Sequence, residues 1–94
     1  MKFNVTYWVP TQFAAVAEQG EVVLALTDFI ANGNFSDEYN ARAAAVLVQL
    51  ADGSEPADLD IVAEALCNYG FEGGKGEPER VDEAGDYVVE IRQS

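Results

Sequence analysis

Apolar and polar residues alternate cleanly at both ends of this chain and almost nowhere between. From Lys2 to Val9, the residues Phe3, Val5, Tyr7 and Val9 fall on one face, with Lys2, Asn4, Thr6 and Trp8 on the other. Near the C-terminus, Tyr87, Val89 and Ile91 alternate with Val88, Glu90 and Arg92. A period of two, rich in β-branched and aromatic residues, marks a strand half-buried against a core. Two such strands at opposite ends of one chain cover their apolar faces most simply by sharing an antiparallel sheet, with the intervening segments packed on it. The expected fold is therefore α+β: three or four helices on a small antiparallel sheet of two or three strands, with the N- and C-terminal strands in the same sheet.

The middle of the chain reads mostly at helical period. Pro10 ends the first strand, and Thr11 is placed to cap a helix from Gln12 carrying Phe13, Val16 and Ala17, which Gly20 interrupts. Glu21 to Ile30 fits two patterns. Val22, Leu24 and Leu26 alternate, whereas Val23, Leu26, Phe29 and Ile30 follow a helix; the continuation through Ala31 and the Asn32-Gly33 stop favour the helix. Ser36 followed by Asp37 and Glu38 starts another, with Tyr39, Ala43, Val46, Leu47 and Leu50 as its core stripe. Its opposite side carries Ala41, Ala44, Ala45 and Val48 where polar residues belong. A helix apolar nearly all round is either central in the fold, which is the expectation here, or covered by another subunit.

Asp52-Gly53 ends that helix, and Ser54-Glu55-Pro56 is read as opening a third, with proline tolerated in the first turn. Leu59, Val62, Leu66 and Tyr69 line one side; Asp60, Glu64 and Asn68 line the other, and Gly70 stands at its C-terminal cap. Glu72 to Glu79 reads as a loop, and Arg80-Val81-Asp82 as a partner of the last strand through Glu83-Ala84-Gly85.

The 94 residues make a single domain. Cys67 is the lone cysteine, which excludes an intrachain disulfide and fits a reducing compartment. No basic region followed by a long apolar run marks a signal peptide, and no stretch approaches membrane-span length, so a cytoplasmic location without membrane partners is expected.

Charge limits the partners further. Seventeen Asp and Glu against five Lys and Arg give a net charge of −12, with no histidine. Residues 1–36 carry a net −2 and residues 37–94 a net −10. A field of this sign repels nucleic acid and anionic membranes, and attracts basic protein surfaces.

The sequence offers little catalytic chemistry. General acid–base and nucleophilic catalysis usually draw on histidine or a tuned cysteine or lysine; Cys67 has no evident base beside it and reads as a packing residue. One thiol without imidazole cannot build a zinc site. The acids around Asp58-Leu59-Asp60 and Asp82-Glu83 do not follow the calcium-loop spacing. Glu72-Gly73-Gly74-Lys75-Gly76 lacks both the spacing and the Ser or Thr of a phosphate loop. No enzyme, metal or cofactor is expected.

Two roles for the acid remain, solvation and recognition. Proteins that bind duplexes present tracks of Lys and Arg, and carboxylates fixed on a folded surface can occupy such a track. Asp60 and Glu64, four residues apart, are separated by a rise of about 6 Å along their helix, with Asp37, Glu38, Glu55 and Asp58 at neighbouring helix ends. Glu79, Asp82, Glu83 and Asp86 form a second candidate patch. The expected function is a non-enzymatic inhibitor or decoy that covers a basic, nucleic-acid-binding protein surface. Small, acidic, histidine-free domains are the physical type of phage-encoded inhibitors of host CRISPR or restriction complexes. The alternative is an adaptor or assembly subunit that binds through Trp8 and the apolar second face of the central helix, or forms a homodimer there.

Overall fold

The computed structural model describes residues 1–8, 12–32, 35–69 and 88–92; the side chains of residues 7, 8, 12 and 13 fall outside that description. Three strands, β1 (Lys2–Trp8), β2 (Gln12–Glu18) and β3 (Val88–Ile91), form one antiparallel sheet in the order β2-β1-β3. The N-terminal strand is thus the centre of the sheet, and the C-terminal strand pairs with it directly, Phe3 opposite Ile91 and Val5 opposite Val89. Helices α1 (Gln19–Asn32), α2 (Asp37–Ala51) and α3 (Leu59–Tyr69) complete the α+β fold.

The sheet's inner face is the one the alternation predicts: Phe3, Val5, Ala17 and Val89 are buried. Against them lie Val22, Ala25, Leu26 and Phe29 of α1 and Ile61, Val62, Ala65 and Leu66 of α3. Both helices bury residues at i, i+3, i+4 spacing, which aims one wide face at the sheet. The helical reading of Glu21–Ile30 holds, and Leu24, which only the strand pattern would bury, is exposed.

The segment from Gln12 is a strand and not the expected helix. Seven residues of β2 pair with β1, from Lys2 opposite Glu18 to Trp8 opposite Gln12. The helical spacing of Phe13, Val16 and Ala17 is a local signal, and long-range pairing with a strongly β-forming neighbour overrides it. Gly20 does not interrupt a helix but lies in the first turn of α1. The start of that helix is fixed by the Glu21 carboxylate, which accepts the Glu18 backbone N–H at 3.0 Å, one half of a capping box.

Ser36 caps α2 as its sequence predicts, its hydroxyl accepting the Tyr39 N–H at 3.2 Å. At the other end Gly53 N–H donates to the Leu50 carbonyl and Ser54 N–H to that of Gln49. This double return requires a left-handed residue, which Gly53 supplies at φ 80°.

Two expectations about α2 and α3 are corrected. α3 begins at Leu59, with Asp58 as its cap, and Pro56 lies buried in the preceding connection rather than in a first helical turn. α2 is not central. It packs on α1 and α3 rather than on the sheet, and buries the stripe Ala43, Val46 and Leu50. Its second face is therefore left exposed at Ala41, Ala44, Ala45 and Val48, the last with 61 % of its surface open.

Candidate functional site

The candidate acids Asp37, Glu38, Glu55, Asp58, Asp60 and Glu64 lie on α2, α3 and the turn between them, and that region is held by a continuous seam. Phe29 of α1 stacks on Phe35 with ring centroids 4.1 Å apart and planes 3° from parallel. Tyr39, in the first turn of α2, closes the cluster at 6.5 Å and 6.4 Å from the two rings. The Arg42 guanidinium lies 5.4 Å from the Tyr39 ring centroid, within cation–π range. Arg42 then grips Asp58 with two parallel bonds, Nε to Oδ2 at 2.7 Å and Nη2 to Oδ1 at 3.0 Å. Asp58 Oδ1 also accepts the Ile61 N–H at 3.1 Å. The chain between the helices is pinned a second time where Ala57 N–H donates to Gln49 Oε1.

Asp58 is therefore both an ion-pair partner and a helix cap. Its bonds from the Arg42 guanidinium, opposed by partial burial and helped by the Ile61 N–H, hold its carboxyl below the ordinary aspartate range. Arg42 is shifted upward, chiefly by the hydrogen bonds it donates to Asp58 and further by the nearby charges of Asp58 and Asp60. The side chains keep 35 % and 32 % of their surface in water, so screening tempers the pair, while its two-pronged geometry favours it. Of the six acids selected in this region, Asp58 is the one committed to the fold.

Asp37, Glu38, Glu55, Asp60 and Glu64 are all exposed, as is Asp52 between them. None of these forms an ion pair among the described residues, where the pairs are Arg42–Asp58 and a solvent-exposed Lys2–Glu18 contact at 3.7 Å. Asp60 and Glu64 stand one turn apart on the outer side of α3, with Asn68 following, as their spacing predicts. The charge of Asp60, like that of Asp58, acts on the Arg42 guanidinium. Glu79, Asp82, Glu83 and Asp86 lie outside the described residues, as do the Glu72–Glu79 loop, the Gly70 cap, the Arg80-Val81-Asp82 pairing and the side chain of Trp8.

Arg42 is the residue that sequence reasoning missed. A cap signal was available, because Asp58 directly precedes the apolar run Leu59, Ile61, Val62. Its basic partner sixteen positions earlier leaves no local trace.

Cys67 is free and half-buried. Burial, assisted by the Glu64 carboxylate, pushes its thiol upward, away from the reactive thiolate. Among the described residues, no group of three or more His, Cys, Asp or Glu is arranged to hold a metal ion. No described helix is long and apolar enough to cross a membrane. No protein-family model, curated protein or solved structure matches the chain.

Proposed function

We propose that this chain is a non-enzymatic decoy that occupies a basic, nucleic-acid-binding surface of another protein. The observation that carries the reading is the division of labour among its carboxylates. Asp58 is spent on the α2–α3 seam, whereas Asp37, Glu38, Asp52, Glu55, Asp60 and Glu64 stand in water with no basic neighbour paired to them among the described residues. Unpaired charge on rigid elements is suited to complement a Lys/Arg track, and opposite charge speeds encounter by about 10- to 1,000-fold at low ionic strength. The class of target is a nucleic-acid-handling complex, restriction and CRISPR assemblies among them.

The test is competition. The immobilised chain should retain a nucleic-acid-binding protein from cell lysate in low salt, and added duplex DNA should displace it. Retention indifferent to duplex DNA would remove the decoy reading.

The exposed face Ala41, Ala44, Ala45 and Val48 favours a second reading, an adaptor that binds an apolar partner. That partner would be lost on Val48→Asp or Trp8→Ala and would depend little on salt.

A further inference from the structure

The outward side of α2 is a straight apolar strip closed by acid at both ends. Asp37, Ala41, Ala44, Ala45, Val48 and Asp52 stand at i, i+4, i+7, i+8, i+11 and i+15, and all are exposed. At about 1.5 Å per residue the strip is about 22 Å long. The one basic residue of α2, Arg42, lies off this line and is bound to Asp58. Neither Asp37 nor Asp52 forms an ion pair among the described residues.

The two acids stand differently toward their own helix. Asp37, in the first turn, answers the positive end of the peptide dipoles. Asp52 caps the opposite end, where those dipoles already present negative charge, and no basic residue occupies the last turn. Its charge therefore works against the helix, and a cation brought from outside relieves it. The strip between them is narrow as well as apolar. Its three alanines admit a second helix to an axis separation of about 8 Å, and Val48, 61 % exposed, stands above them as a knob.

We propose that a basic amphipathic helix of a partner protein docks lengthwise on this face. Its apolar seam lies over Ala41, Ala44, Ala45 and Val48, and a Lys or Arg at each end meets Asp37 and Asp52. A straight strip one side chain wide matches the stripe of another helix. Charge excludes a second copy as that helix. Parallel α2 helices set Asp37 against Asp37, antiparallel ones set Asp37 against Asp52, and both molecules carry −12. The apolar seam carries the contact, while charges at the rim set orientation and choose among helices. The inference rests on the adaptor reading and names the chemistry of its partner.

The probes are stapled helical peptides of about five turns, each with one apolar seam and ending in lysines, in glutamines or in glutamates. Titration calorimetry and amide chemical-shift mapping on the full chain read the strength and the place of binding. The lysine-ended peptide should shift Ala41, Ala44, Ala45 and Val48, and bind about tenfold or more tighter than the glutamate-ended one. The glutamine-ended peptide should fall between them. Raising salt from about 0.05 M to about 1 M should narrow that range. The double variant Asp37→Asn, Asp52→Asn should lose the preference for lysine and still bind the glutamine-ended peptide. Val48→Asp should weaken all three. Equal binding of the three peptides at α2 overturns the inference and leaves the adaptor reading standing. Equal binding by a lysine-ended peptide whose seam is scrambled also overturns it. Shifts absent from α2 with every peptide overturn both. The decoy reading is decided separately, by displacement with duplex DNA.

Discussion

α2 and α3 both carry acids around their starts, yet different forces hold them. α3 lies on the sheet and buries Ile61, Val62, Ala65 and Leu66, so apolar burial fixes it, and its outer acids Asp60 and Glu64 form no ion pair among the described residues. α2 packs on the other two helices rather than on the sheet, buries Ala43, Val46 and Leu50, and is tied in place by the seam Phe35–Tyr39–Arg42–Asp58. A carboxylate on this surface is therefore structural when it reaches Arg42, and otherwise available to a partner. The two kinds are neighbours in sequence, Asp58 and Asp60, and their contrast can be measured.

The largest expected effect is on the α3 side. Leu66→Ala should destabilise the whole fold by about 2–5 kcal/mol, because it opens a cavity between α3 and the sheet. Denaturant titration would show it. A loss under about 1 kcal/mol would mean that α3 is not the better anchored helix.

Asp58→Ala comes next. Loss of the cap alone should cost about 1 kcal/mol, or about 4–8 °C in Tm for a domain of this size; stranding Arg42 adds to it. The pH sign follows from the lowered carboxyl. Its contribution is present above the ordinary aspartate value near 4 and is lost as pH falls through the lower folded value. The Tm gap between wild type and Asp58→Ala should thus be widest at neutral pH and close in strong acid. A gap that stays constant with pH would separate the cap from the charge.

Much of this arrangement was legible in advance. The terminal strands, their shared sheet, the Ser36 cap and the outward row Asp60–Glu64–Asn68 follow from local periodicity and capping chemistry, which a single sequence carries. β2 was not legible, because its alanines are indifferent to helix and strand, and the deciding contact is with β1. Nor was the outer position of α2: a face of Ala41, Ala44, Ala45 and Val48 looks the same whether the fold covers it or leaves it bare. The Arg42–Asp58 link is a long-range choice among several acids, and only the folded geometry makes it.

Smaller still is the expected effect of Val48→Asp on stability, within about 0.5 kcal/mol, since the side chain is exposed and touches no described network. A marked loss, read by thermal unfolding, would mean that this face is covered after all. The smallest effect on the fold belongs to the pair Asp60→Lys and Glu64→Lys, which replaces unpaired surface carboxylates.

That double reversal also tests the central claim most directly, by measuring Tm and the salt-dependent retention of the lysate partner side by side. The account predicts a Tm within a few degrees of wild type, by the rule that isolated surface changes stay within about 0.5 kcal/mol, together with loss of low-salt retention. Unchanged retention, or a steep fall in Tm, would contradict it.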